Sequence, residues 1–168
     1  MQHLLTLNPE NALLEDVNTY DTRAAARAIV RDENGHIALL KVGRHGYYKL
    51  PGGGVDEGED IQTALLRECL EEIGCDIEVL GEVGTVEEHK LKSKLKQTSY
   101  CYLAKVVGTK GSPSFTQKEM DGGFSILWVP PSEAIKLMET CAPTTSGGKD
   151  YIVPRDICLL QAALGKSS

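Results

Sequence analysis

Glu68, Glu71 and Glu72 stand at i, i+3 and i+4 in the segment IQTALLRECLEEI. On a helix that spacing puts three carboxylates on one face. Like charges this close destabilise a helix by roughly 0.2–0.5 kcal/mol per pair, so a cation or plain solvation must offset them. Taken alone, an acidic helix with Arg67 nearby is usually a solvated face. The residues ahead of it argue for more. Pro51 and three successive glycines, Gly52, Gly53 and Gly54, lead into the helix. Glycine permits close backbone approach, so a main-chain carbonyl such as that of Gly52 can reach the ion the carboxylates hold. Oxygen ligands of this kind suit Mg²⁺ or Mn²⁺ and do not suit zinc.

The elements that must position these groups are legible around them. Asp60 is a good N-cap, Ala64, Leu65, Leu66, Cys69, Leu70 and Ile73 give a broad apolar face, and Gly74 is a stop signal, so the pattern predicts a helix over 61–73. Upstream, residues 22–30 and 37–42 are apolar runs flanking Asn34-Gly35, the signature of a hairpin. Strands are expected at 76–86, interrupted by Gly81, at 97–107 and at 124–129. Residues 110–123 read as a loop. Ser132 is expected to cap a short helix to Glu139, residues 144–149 form a polar loop, and 154–164 form a last helix. This order predicts an α/β (α+β) fold, a mixed β-sheet sandwiched between helices.

The chain has 168 residues, enough for one domain, taken as 1–168, with 1–21 as an N-terminal extension carrying at most a short strand. Hydrophobic residues at 41% and charged residues at 25% exclude wholesale disorder. A net charge of −6 disfavours a general nucleic-acid coat protein, and no nucleic acid binding is expected. No apolar run is long enough to span a membrane, and the N-terminus does not read as a signal peptide. Five cysteines without a CxxC pattern read as reduced, mostly buried thiols of a cytoplasmic protein. A homodimer is left open.

The stretch GGVDEGEDIQTALLRECLEEIGC resembles the signature of the Nudix hydrolase family. Its seven fixed positions are matched by Gly53, Glu59, Arg67, Glu68, Glu71, Glu72 and Gly74. Chance would produce that in a chain of this length less than about once in 10⁶. Cys69 and Cys75 occupy positions where an aliphatic residue is more usual, and free cysteine packs as a small hydrophobe. The similarity extends from about Arg23 to Pro131.

The resemblance implies Mg²⁺- or Mn²⁺-dependent hydrolysis of a diphosphate linkage in a small-molecule nucleoside phosphate. It assigns Glu71 and Glu72 as metal ligands, with the Gly52 carbonyl completing the shell. Glu68 becomes a ligand or the group that orients or deprotonates water. Arg67 holds the glutamates, and Glu59 braces the loop against it. A further acid from a later loop falls on Glu119, with Asp121 as alternative, for metal binding or general base. Substrate phosphates then need cations: Arg23 and Arg27 on the first strand, and Lys41, Arg44, His45 and Lys49 before the glycines. Lys90, Lys92, Lys94 and Lys96 would share a face if extended, and a solvated edge is the favoured reading for them. Tyr47, Tyr48, Tyr100 and Tyr102 could stack on a base or fill the core, and packing is the favoured reading for most of them. Relatives acting on ADP-ribose tend to carry a proline where Lys90 stands, and those acting on dinucleoside polyphosphates a tyrosine slightly further on. Both marks are missing, which favours a nucleoside triphosphate by elimination. Hydrolysis of ADP-ribose, a nucleotide sugar or a dinucleoside polyphosphate stays open, as does a catalytically silent ligand-binding module of the same fold.

Overall fold

A computed structural model describes residues 1–165; the last three residues of the expected 1–168 domain lie outside them. Seven strands form one mixed sheet: β1 (His3–Leu7), β2 (Asp21–Arg31), β3 (Ile37–Val42), β4 (Tyr47–Lys49), β5 (Asp76–Lys90), β6 (Leu95–Val107) and β7 (Phe124–Val129). The order is β1-β5-β6-β2-β3-β4, with β7 paired to β3. Helices are α1 (Leu14–Val17), α2 (Ile61–Ile73), α3 (Gln117–Asp121), α4 (Pro131–Thr140) and α5 (Val153–Gly165).

Alternation along the strands sorts the core onto two faces. Ala26, Ala28, Val30, Ala38 and Leu40 pack with Ala64, Leu65, Cys69 and Ile73 of α2. Ile29, Ile37 and Leu39 pack on the other face with Ala134 and Met138 of α4 and Leu159, Leu160 and Ala163 of α5. The sheet is thus sandwiched between helices. No helix among the described residues is long and apolar enough to cross a membrane.

Several local expectations change. The strands around Asn34-Gly35 share only the Arg31–Ile37 register pair, so no extended hairpin forms. β2 is buried on both faces and instead runs parallel to β6 from Asp21–Leu95 to Arg31–Lys105. The apolar face of α2 is narrower than expected: Leu66 and Leu70 are 46% and 52% exposed, and Glu72 is buried on the inner face. Pro130, not Ser132, occupies the N-cap position of α4 without a side-chain cap, and the first turn tolerates Pro131 because its missing N–H would be unpaired there anyway. Residues 147–152 form a π-helical turn that runs into α5. Residues 91–94 form the β5–β6 turn, so the four lysines are not an extended ladder. Lys90, Lys92 and Lys96 pair with Glu88, Glu10 and Glu87. Residues 3–7, within the expected extension, form the edge strand β1, parallel to β5.

Candidate active site

The loop between β4 and α2 is built from backbone bonds to β2. Ala28 N–H donates to the Pro51 carbonyl and Ala26 N–H to the Gly53 carbonyl, at 3.0 and 2.9 Å. Gly52 takes φ +127°, and a Cβ there would run into the Ala26 carbonyl, so only glycine fits. A Cβ on Gly53 would meet the Glu68 carboxylate, so this glycine lets the acid lie flat against the loop.

At its far end the loop is tied to α2 through Arg67. Its guanidinium grips Glu59 with two 2.9 Å bonds, from Nε and Nη2. Nη1 reaches Glu68 at 2.9 Å and Glu71 at 3.5 Å, and Nη2 donates to the Gly54 carbonyl at 3.1 Å. The bonds from Arg67, with help from the Asp56 amide, hold the Glu59 carboxyl down at about 2. Glu68 moves the other way: burial raises its pKa, and the nearby Glu72 charge adds to that.

Glu72 is 3% exposed. Its Oε1 accepts from Lys49 Nζ and its Oε2 from the Gly52 amide, both at 2.7 Å. The Gly52 carbonyl accepts from Arg27 Nη1, and Lys49 Nζ lies 3.4 Å from it. Arg27 is itself buried, and its Nε has no partner among the described residues. Burial, reinforced by the Arg155 charge, lowers the Arg27 pKa to about 10, so it remains a cation at neutral pH.

These groups open onto one cavity of about 940 Å³. Its lining brings together Gly52, Glu68, Glu72, Glu119, Asp121, Arg23, Arg27, Arg44, His45 and Lys49. Glu119 also caps α3: its Oε2 accepts from the Thr116 amide and hydroxyl, both at 2.8 Å. Four of the sequence candidates do not line the cavity, and of these Arg67 and Glu59 form the brace behind Glu68. Glu71 is exposed and does not line the cavity. Lys41 is exposed on β3, whose alternation sends it to the side opposite Val42, and Val42 is the lining residue. Lys118, Thr145, Gly147 and Gly148 line the cavity without having been singled out. The only signal for the last three is the small, polar composition of TTSGGK.

The family model described as the NUDIX domain matches residues 21–146. The chain belongs to the Nudix family. An RNA pyrophosphohydrolase from Sulfurovum sp. is 58% identical over 36 residues, 21% of this chain and 23% of that relative. A Bacillus subtilis protein, provisionally named an 8-oxo-dGTP diphosphatase, is 27% identical over 106 residues, 63% of this chain and 65% of that relative. The chain thus matches about a quarter of the first relative's length and under two thirds of the second's. The solved structure of a Nudix hydrolase from Nitrosomonas europaea gives a TM-score of 0.64 at 17% identity, covering 87% of this chain and 90% of that one. A MutT protein from Methanosarcina mazei gives 0.61 at 18%, covering 89% and 98%. At such identities the likeness establishes the Nudix fold.

The Nudix carboxylates fit a hard dication in donor type. Glu68, Glu71, Glu72 and the Gly52 carbonyl offer only oxygen. A dication would also relieve the repulsion between Glu68 and Glu72. Arg67 and Lys49 supply positive charge to these acids, and no group of three or more acids, histidines or cysteines converges among the described residues.

Proposed function

We propose that this chain is a divalent-metal-dependent pyrophosphohydrolase that cleaves a diphosphate linkage in a nucleotide derivative, with a nucleoside triphosphate as the favoured class. The observation that carries this reading is the shared cavity. Buried and half-buried carboxylates, Glu72 and Glu68, line it together with Arg23, Arg27, Arg44 and Lys49. A polyphosphate needs the cations, and an anhydride-cleaving centre needs the acids.

Glu68, Glu72 and the Gly52 carbonyl, all on the cavity, would hold Mg²⁺ or Mn²⁺, with Glu71 on the neighbouring exposed side of α2 as a further oxygen donor. Bound there, the ion would neutralise phosphate oxygens and orient the substrate. The chain's own residues do the rest. Arg27, Arg44 and Lys49 take up phosphate oxygens by charge-assisted hydrogen bonds. A water oxygen bonds to phosphorus as the bridging P–O bond breaks, and its proton passes to a carboxylate. Glu68, half-buried on the cavity wall, is placed for that role where it is not itself taken up by the ion. Glu119, on the same cavity, is the alternative. Arg67, fixed by Glu59, orients Glu68. Acting on nucleotide pools, such an enzyme belongs in the cytoplasm.

A substrate panel with Mg²⁺ tests the reading. It contains nucleoside triphosphates, oxidised purine triphosphates, ADP-ribose, sugar nucleotides and dinucleoside polyphosphates. A 5′-triphosphorylated RNA is included because relatives carry the name RNA pyrophosphohydrolase. Phosphate, pyrophosphate and nucleoside monophosphate are scored. Metal-dependent release that Glu72→Gln lowers by about 100-fold or more is expected. No release from any compound leaves a silent binding module.

A further inference from the structure

Beneath the glycine loop lies a charged cluster that the sequence pattern does not single out, and two of its three members lie beyond the family match. Arg155 and Asp156 are 2% and 0% exposed on α5, beyond the matched residues 21–146, and Glu88 of β5 is 0% exposed. Arg155 Nε donates to Asp156 Oδ1 at 2.6 Å, and its Nη1 to Glu88 Oε1 at 2.9 Å. Glu88 Oε2 also takes Lys90 Nζ at 2.6 Å and Gln97 Nε2 at 3.3 Å. Asp156 has one acceptor left, Oδ2, and it accepts the Leu50 amide at 2.8 Å.

Charges this deep are costly to bury, and apolar replacements of similar volume are often no less stable. Their arrangement is therefore better explained by what it orients. Leu50-Pro51-Gly52 offers only two amide protons, because proline has none. Asp156 takes the first from the α5 side, and Glu72 takes the second from the α2 side. The intervening Pro51 carbonyl accepts from Ala28 of β2. Three elements thus fix one backbone group on each of three consecutive residues, and the last of these, Gly52, lines the cavity.

We propose that Asp156, oriented by Arg155 and Glu88, is a positioning residue that sets the Leu50–Gly52 backbone and, through it, the Gly52 carbonyl and Glu72. The inference rests on the hydrolase reading for its consequence in turnover, and not for the brace itself. Asparagine is a sharp probe. Arg155 Nε and the Leu50 amide are both donors, and the carboxamide introduced by Asp156→Asn would offer one oxygen between them. The charged arginine claims it, and the Leu50 amide loses its acceptor with almost no change in shape.

The experiment compares Asp156→Asn and Asp156→Ala with Leu159→Ala, a core truncation on the same helix. Amide hydrogen exchange is read at Leu50 and Gly52. Both Asp156 variants are expected to exchange there about 10-fold faster or more, whereas Leu159→Ala, compared at equal global stability, is not. On whichever substrate the panel yields, Asp156→Asn is expected to lower kcat about 10- to 100-fold and raise the metal concentration for half-maximal rate. The nucleotide KM should stay within about 3-fold, since Asp156 does not line the cavity. Exchange at Leu50 and Gly52 no faster than in Leu159→Ala overturns the proposal. So does a kcat loss that Leu159→Ala reproduces. If the wild-type chain cleaves nothing, the hydrolase reading fails, and the exchange comparison still decides whether the brace exists. Should Asp156→Ala fail to fold, the near-isosteric Asp156→Asn carries both readouts.

Discussion

Lys49 Nζ sits 2.7 Å from Glu72 Oε1, and both side chains are largely withdrawn from solvent. The ammonium holds the charge of a carboxylate that a divalent ion is proposed to use. Lysine and metal are therefore competitors for the same acid. Removing the lysine leaves a buried charge uncompensated, which typically costs about 3 kcal/mol or more. Lys49→Met is thus expected to unfold at a markedly lower temperature without metal. Added Mn²⁺ should stabilise the variant more than the wild type, because the ion replaces the missing charge. Thermal unfolding with and without Mn²⁺ checks this. Equal metal-induced shifts in the two proteins would show that Glu72 is not a ligand.

The Arg67–Glu59 pair predicts an acid-side stability profile. The folded Glu59 carboxyl titrates at about 2, held down by Arg67. In the unfolded chain a glutamate titrates at about 4.3. Ionised Glu59 therefore favours the folded state in full above about pH 5, and the contribution drains away as pH falls through 4 towards 2. Glu59→Gln never has it. The difference in unfolding temperature between wild type and Glu59→Gln should be constant above about pH 5 and close on approach to pH 2. Because the pair is near the surface, raised salt should shrink the difference at neutral pH. A gap independent of pH would assign the brace to shape rather than charge.

The legible parts of this site are those set by local spacing. Asp60, Gly74 and the carboxylates of α2 follow from helix periodicity, and α2 runs over Ile61–Ile73 as the pattern requires. Glu59 sits just before the N-cap Asp60 and Arg67 on the early turns of α2, so their contact needs no long-range knowledge. What periodicity does not fix is rotation. Glu72, not Leu66 or Leu70, lies on the buried side, because the sheet and glycine loop supply Lys49 and an amide to receive it. Pairings distant in sequence were illegible for the same reason. Nothing local in VPRDICLLQAALG says that Asp156 meets Leu50, 106 residues away. Likewise, an Asn-Gly turn between apolar runs signals a hairpin, but the sheet gave β2 to β6 and β3 to β7.

Gly53 offers a test of how closely Glu68 must lie against the loop. Its φ is not among the positive values, so alanine is conformationally acceptable there. The added Cβ would meet the Glu68 carboxylate and push it aside. Gly53→Ala is expected to fold and to lose turnover about 100-fold, the usual consequence of moving a reacting group by about 1 Å. Gly81→Ala is the control, since a Cβ there meets nothing within 4 Å. Steady-state rates and unfolding temperatures of the two variants decide it. Comparable activity in Gly53→Ala would mean that the position of Glu68 is not critical.

Glu119 has two jobs that one pair of substitutions separates. Its Oε2 closes the capping box with Thr116, and the residue also lines the cavity. A capping box accepts glutamine as readily as glutamate. Glu119→Gln therefore keeps the α3 cap and removes only the charge. Glu119→Ala removes both, and cap loss typically costs about 1 kcal/mol. If Glu119 is the general base or a ligand, both variants should be slowed about 10- to 100-fold or more at saturating metal, and only Glu119→Ala should lose stability. If it is merely the cap, Glu119→Gln should turn over at the wild-type rate. In that case Asp121, which lines the same cavity, is the acid to replace next. Its Oδ1 accepts from Gln117 Nε2 at 2.8 Å, a bond Asp121→Asn can keep through its own oxygen, so the same charge-only comparison applies.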